Sequence, residues 1–501
     1  MKQYKKRTNE KKLTQEVQVD FKKKTIIDSI LMLSGSIIGR IFNTVRGFLI
    51  AKFLGPELLG IWSSLFVILT YIMGFDFGLN TEFSRSYPKA RARNNVIECE
   101  KLMNVTFTFN FFFGLIFSIF IFIYLFTFGQ TASPIYKLGI ILIGILIITI
   151  RVYGFFSIAI RALDDFKSLV KISIFFSAVN LLFAVPLTYF FKLKGLYLAV
   201  ITTYIVSLIF IRLIKHVKFR FDFDVKKMFK MIIPGISLML ISYSNILIRN
   251  IDKTFILMYL TKTDLGYYHF SITLTSFLLM LPITIGVTLF PKMSFKYGKL
   301  KNIYEMTNIV YKPTLGFSYI LMFLTGYAYI LFPFLVKSFL PKYLNSIEPF
   351  LIITFGLFFY SISMVLGNFL IVIHRQIDII KIYIISIIVC IITDYVILLM
   401  GFGINGVSYG TSLTYLLYGI GVIFFTLKYI SKTRKEAIKK FFNISLPFII
   451  LFLSLLIIHS VECIYKLNGY LIYLQRSILF TIITVPFGLY YYFYRYRKEF
   501  K

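Results

Sequence analysis

Acid is scarce in this chain. Its 501 residues hold 22 Asp and Glu against 55 Lys and Arg, a net charge of +33. Most of the acids lie between apolar runs. That distribution argues against an exporter of small cations, whose cavity needs unpaired carboxylates. Cysteine is nearly absent too: Cys99, Cys390 and Cys463 are far apart and match no metal-ligand spacing. The adjacent Asp164 and Asp165 sit at a span end and read as a solvated cap. No loop is long enough to fold as a catalytic domain, so the chain reads as a non-enzyme without a cofactor.

Apolar residues are abundant instead. They make up 58% of the chain, and aromatics 19%, mostly Phe and Tyr. Ordinary soluble domains are about 45–50% apolar. Runs of roughly 18 or more apolar residues, each enough to cross a bilayer, recur along the whole sequence. The positive charge lies between those runs, on alternate loops, and forms no basic face interleaved with exposed aromatics. That pattern excludes nucleic acid as a partner and points to the lipid bilayer.

The length criterion predicts an all-α integral membrane protein of about fourteen transmembrane helices. Two neighbouring pairs matter below: 26–50 with 58–80, and 168–191 with 195–214. Placing the N-terminus inside puts about forty Lys and Arg on the cytosolic side against roughly nine opposite. Both termini are then cytosolic, in a multi-pass protein of the cell membrane. The predicted organisation is a basic tail (1–25), read as disordered, a first lobe (26–214) and a cytosolic linker (215–230). A second lobe (231–427) and a C-terminal helix pair with a basic end (428–501) follow.

An internal repeat supports the lobes. LIAKFLGPELLGIW (Leu49 to Trp62) aligns with FILMYLTKTDLGYY (Phe255 to Tyr268), matching Gly60 to Gly266. LKGLYLAVITTYI aligns with INGVSYGTSLTYL, matching Gly195 to Gly406 and Tyr204 to Tyr415. The chain therefore reads as two six-helix lobes of the same orientation plus an added pair. In parallel repeats of this kind the substrate site lies between the lobes.

Charges inside the spans are the candidate site. Arg or Lys at a helix centre costs roughly 2.5–3.5 kcal/mol, so such residues face protein or a wet cavity. At 100° per residue Ser36, Arg40, Asn43 and Arg46 share an arc of about 120° on the first span. Ser242, Asn245, Arg249, Asp252 and Lys253 share about 100° on the seventh. Arg151 adds a charge in span four. The predicted cavity residues are Arg40, Asn43, Arg46, Arg151, Asn245, Arg249 and Lys253. Three alternatives stay open: Arg46 and Lys253 can snorkel to the interface, Arg249 can pair structurally with Asp252 or Asp76, and Arg40 and Arg151 can be purely structural. A net positive cavity suits an anion, and guanidinium forks match phosphate oxygens. Sodium or proton coupling is left open, with Asp76, Asp252 and Asp394 as candidates.

The run LGPELLG, then GFDFGLN and Arg85, resembles the opening of polysaccharide transporters of the multidrug/oligosaccharidyl-lipid/polysaccharide (MOP) exporter superfamily. So do IDKTFILMYLTKTDLGYYHF with LPITIGVTLFPKMS, and GNFLIVIHRQIDIIKIYIISIIVCIITDYVILLMGFGINGVSYGTSLTYL. The resemblance implies the MOP flippase fold and a Wzx-type flippase that works by alternating access. Such a protein moves a polyprenyl-diphosphate-linked oligosaccharide, a polysaccharide repeat unit, from the cytosolic to the outer leaflet. It implies action as a monomer, beside glycan polymerase or other biosynthetic partners. The alternatives are a lipid II flippase and, further off, a MATE-like small-molecule exporter. In related lipid II flippases an added helix pair offers a groove for the lipid tail.

Overall fold

The computed structural model describes residues 2–127, 129–131, 133–298, 303–464 and 471–490. The first half contains α1 (Lys2–Gly74), α2 (Leu79–Ala92), α3 (Val96–Thr127), α4 (Pro134–Ala162) and α5 (Phe166–Ile214). The second contains α6 (Val225–Ile248), α7 (Ile251–Tyr259), α8 (Lys262–Leu278), α9 (Met280–Tyr297) and α10 (Thr307–Phe339). It continues through α11 (Ile347–Val372), α12 (Gln376–Leu399), α13 (Gly403–Ile430), α14 (Arg434–Ile464) and α15 (Leu471–Tyr490). The fold is all-α. Among the described residues ten helices are long and apolar enough to cross a membrane, or twelve if each of two bent pairs is one span.

That count falls below the fourteen expected from length. Two helices each carry two of the expected segments. Drawn straight, the 49 residues of α5 would extend roughly 74 Å, against a hydrocarbon core of about 30 Å. The helix breaks at Lys192 (φ 54°, ψ −132°). Its arms fold together, so that Phe175 stacks on Phe210 with centroids 3.7 Å apart. The two rings would otherwise stand roughly 50 Å apart. Gly195 makes the turn tight: a Cβ there would run into the Leu187 carbonyl. The other long helix, α1, breaks at Gly55 (φ 75°), followed by Pro56. Glycine takes the positive φ at little cost, and proline suits the first turn of the next arm. Both breaks fall in the short gaps that the sequence leaves between paired spans, 51–57 and 192–194.

The tail 1–25, expected to be disordered, has a backbone that is helical from Lys2 onward and continuous with α1. Its Lys, Glu and Gln are good helix formers. The basic C-terminal end, 491–501, lies outside the described residues, as do the side chains of 2–30 and that of Cys463.

Apolar packing divides along the chain. One buried cluster lies wholly in the second half, from Ile248 to Phe480. Another lies in the first half and its linker, from Leu79 to Met231. A third joins the halves, setting Ile50, Trp62 and Leu146 with Phe270, Phe332 and Phe350. The halves also touch through glycines. A Cβ on Gly60 would meet the Lys262 carbonyl, and one on Gly266 the Pro56 carbonyl. These contacts are reciprocal under the repeat that matches Gly60 to Gly266, as a two-fold axis requires. Gly78 and Gly235 make a second backbone-to-backbone approach.

The linker is a strap laid along α3. In FRFDF the residues at spacing two point one way. Phe219 packs on Phe107 at 4.0 Å, Phe221 on Phe111 at 5.5 Å and Phe223 on Phe112 at 5.0 Å. The amides of Arg220 and Asp222 donate to Asn104 Oδ1 and Thr108 Oγ1, each at 2.8 Å. Ion pairs fasten its ends: Lys215–Asp165 at 2.7 Å, Lys101–Asp224 at 2.5 Å, and Lys227–Glu98.

Two predictions follow from this packing. Gly60→Val or Gly266→Val drives a side chain into backbone, which overpacking data value at about 1–3 kcal/mol. The melting midpoint of the purified protein should fall for either variant. The second concerns acid. The Lys215 ammonium holds the Asp165 carboxyl below the usual carboxylate range, and Lys101 does the same for Asp224. A depressed folded value stabilises above the ordinary carboxylate pKa and is lost as pH falls through the depressed one. The midpoint should drop modestly as pH falls below about 4. Asp165→Asn with Asp224→Asn should flatten that acid limb.

Candidate functional site

The first arm of α1 lies on the first arm of α5 through small residues. Gly35 meets Val170, and Gly39 meets Ser177. At the same junction Arg46 Nη1 donates to Asn180 Oδ1 at 3.0 Å, while its Nε is buried without a partner. Arg46 therefore turns into protein and does not snorkel. Arg40 is half-exposed and Asn43, on the same side, is exposed. Arg40 lies within electrostatic reach of Arg249, in the other half of the chain.

The facing element is interrupted where the sequence predicts one continuous span, 231–258. Arg249 and Asn250 form a turn between α6 and α7. Arg249 is thus the C-cap of α6, and Asp252 stands in the first turn of α7. Helix dipoles favour a cation at the first place and an anion at the second. Asn245 Nδ2 donates to the hydroxyls of Tyr360 and Tyr383, both at 2.9 Å. Tyr360 stacks on Tyr415 at 4.7 Å, and Tyr383 on Tyr418 at 4.4 Å. Arg249 lies beside this group of phenols, within reach of Tyr360, Tyr383, Tyr415 and Asp252.

Asp252 is fully buried. Its Oδ1 accepts from the Lys253 amide at 2.7 Å; its Oδ2 accepts from the Tyr268 hydroxyl and from Thr411 Oγ1 at 3.3 Å. Lys253 is buried and donates from Nζ to Asn250 Oδ1 at 3.0 Å. Asp394 of α12 is equally buried and within electrostatic reach of Asp252. Cys390 Sγ approaches its Oδ2 at 3.5 Å, but its Oδ1 has no partner.

Two candidates stand apart from this group. Arg151 is buried, with Phe113 4.6 Å from its guanidinium carbon. Its Nη2 donates to the carbonyls of Ile72 and Phe75, both at 2.8 Å, where α1 ends. Cations are favoured at such helix ends. Asp76 Oδ1 accepts from the Gly78 amide at 2.9 Å and shapes the turn into α2. Among the described residues, no group of three or more His, Cys, Asp or Glu side chains could hold a metal ion.

Sequence reasoning missed several neighbours. Ser63 Oγ lies 2.9 Å from His269 Nδ1. The Gly60–Gly266 alignment makes these two residues equivalent, so they meet on the pseudo-two-fold, and the repeat itself held that signal. The tyrosines around Asn245, and Tyr268 on Asp252, carried none, because aromatics are everywhere in this chain.

The arrangement is that of a membrane helix bundle with paired halves and buried cations near their divide. Solved structures share the fold. Lipid II flippase MurJ in an inward closed conformation is 17% identical, with a TM-score of 0.68 covering 93% of this chain and 99% of that one. A multidrug resistance MATE family transporter of the MOP superfamily, inward-facing, is 14% identical, with a TM-score of 0.64 over 84% and 98%. A MOP superfamily transporter from Pyrococcus furiosus, described by the reverse polarity of its binding pocket, is 15% identical, with a TM-score of 0.58 over 82% and 96%. No curated protein matches the chain in sequence. The chain belongs to the polysaccharide biosynthesis protein family, whose model matches residues 25–295. Its fold is shared with transporters described as members of the MOP superfamily.

The Arg151 geometry predicts a structural phenotype. Arg151→Met removes the donor from two carbonyls and should cost about 2–3 kcal/mol, read as a lower melting midpoint. Arg151→Lys should recover part of it.

Proposed function

We propose that this protein flips a polyprenyl-diphosphate-linked saccharide from the cytosolic to the outer leaflet. Counting each bent pair as one span, and α1 and α5 as two spans each, raises the total to fourteen. Segments 26–214 and 231–427 then act as two lobes, with 428–501 as the added pair and both termini in the cytosol. The Gly60–Gly266 contact lies at the outer end.

One observation carries the reading. Arg40 and Arg249 come from different halves, are partly buried, and lie within electrostatic reach of each other. Among the described residues neither makes an ion pair with a carboxylate. Two such cations in a bilayer setting call for an anion between them. A diphosphate supplies it, with Asn43, Arg46, Asn245 and Lys253 behind the pair. Arg151 supports the site by holding the end of α1. Moving an anion outward is favoured by an inside-negative potential, by about 2.3 kcal/mol per charge per 100 mV. Rocking of the lobes provides alternating access.

Of the two saccharide cargos, likeness to the lipid II flippase over 99% of its length favours lipid II. A polysaccharide repeat unit is the competing cargo, which the match over residues 25–295 supports. Both carry the diphosphate. Coupling falls to Asp252 and Asp394: a sodium ion or proton shared between them would cancel one of the two buried carboxylate charges and engage the orphan Oδ1. The protein acts as a monomer, alongside enzymes of glycan assembly.

Arg40→Ala and Arg249→Ala should insert stably and lower translocation of the lipid-linked precursor at least tenfold. The readout is precursor exposed on the outer face of cells or proteoliposomes. Normal transport by stable variants would defeat the diphosphate clamp. Complementation separates the cargos: rescue of a strain depleted of its lipid II flippase supports lipid II. Rescue only of a strain lacking its polysaccharide flippase supports the repeat unit.

A further inference from the structure

At the basic end of the bundle α13, α14 and the 3-10 turn Ile303–Met306 surround a cavity of about 820 Å³. That volume lies within the roughly 300–1,000 Å³ of ordinary ligand sites. Its walls are apolar, with Leu417, Phe424 and Phe441 among them. The rim holds three exposed cations, Lys428, Lys432 and Arg434. Among the described residues no carboxylate lines it. The nearest acid in sequence, Glu436, is already engaged, pairing with Lys440 at 2.7 Å and accepting from the Lys432 amide at 2.9 Å.

Ser431 supplies an independent sign of a ligand. It lines the same cavity, is 93% buried, and its Oγ has no hydrogen-bond partner. A buried hydroxyl is normally satisfied. The start of α14, at Arg434, adds the positive end of a long helix dipole to the same rim.

A purely apolar occupant would leave the Ser431 hydroxyl and three cations unanswered. A soluble anion would leave the apolar walls wet. An amphiphile with a phosphate head satisfies both. We propose that this cavity binds one anionic glycerophospholipid. Its phosphate sits among Lys428, Lys432, Arg434 and Ser431, and its acyl chains lie along Leu417, Phe424 and Phe441. Basic pockets between membrane helices recognise lipid headgroups in this way. The lipid would join α14 to α13 and so couple the C-terminal pair to the body. The proposal rests on membrane embedding and is independent of the cargo.

Native mass spectrometry of the full chain in detergent tests it, with dioleoyl phosphatidylglycerol, dioleoyl phosphatidylcholine and undecaprenyl diphosphate as probes. The protein should retain one phosphatidylglycerol under activation that strips phosphatidylcholine. The triple variant K428Q/K432Q/R434Q, which alters only exposed side chains, should retain at least tenfold less at an unchanged lipid-free melting midpoint. Ser431→Leu should weaken retention as well. Equal retention of the two phospholipids, or full retention by the triple variant, overturns the proposal. Displacement of phosphatidylglycerol by equimolar undecaprenyl diphosphate also overturns it and assigns the cavity to the cargo. Arg40→Ala, defective in transport, should bind phosphatidylglycerol normally, so the two readings fail separately.

Discussion

Ionised groups within the membrane-spanning bundle must be answered by protein, water or ligand, because hydrocarbon solvates none of them. Helix ends answer three of them here. Arg151 sits on the carbonyls that end α1. Arg249 caps α6, and Asp252 opens α7, where free amide groups favour it. Each place exists because a helix stops inside the bundle. An unbroken seventh span would leave Arg249 and Asp252 without those dipoles. Arg40 has no helix end to lean on, and the charge that acts on it across the divide is another arginine's. The proposed diphosphate would answer that repulsion.

The halves are held in register by backbone. Gly60 against the Lys262 carbonyl and Gly266 against the Pro56 carbonyl are the same contact seen from both sides of a pseudo-two-fold. Ser63 and His269 extend it by one turn. Only glycine permits so near an approach, and the mutual geometry brings α1 and α8 together without interdigitating side chains. The joining cluster of Ile50, Trp62, Phe270 and Phe332 packs around that contact and excludes water from it. The linker strap makes a different kind of attachment. Its phenylalanines and ion pairs bind it to α3, so the first residues of α6 are anchored to the first half of the chain.

The cavity at Ser431 follows the same logic at the bundle's edge. Where α13 ends and α14 begins, the chain turns with a cluster of cations and leaves apolar walls uncovered. The neighbouring Lys440–Glu436 pair is closed upon itself, which leaves the rim charges for a ligand.

Composition and period alone determined that this chain is a helical membrane protein. Long apolar runs permit no other solution, since the hydrocarbon core demands internally satisfied backbone. The repeat around Gly60 and Gly266 was legible because an approach that tolerates no Cβ leaves glycine at both positions. The shared polar face of Arg40, Asn43 and Arg46 was legible because helical period converts spacing into direction. Span lengths bracketed the breaks at Gly55 and Lys192, but tertiary structure alone decided the one at Asn250, because a break inside a continuous apolar run depends on what packs against both arms. It also decided which charges are answered internally. Arg151 and Arg40 look alike in sequence; one is met by two carbonyls and the other faces Arg249, and only the packed bundle brings those partners within reach.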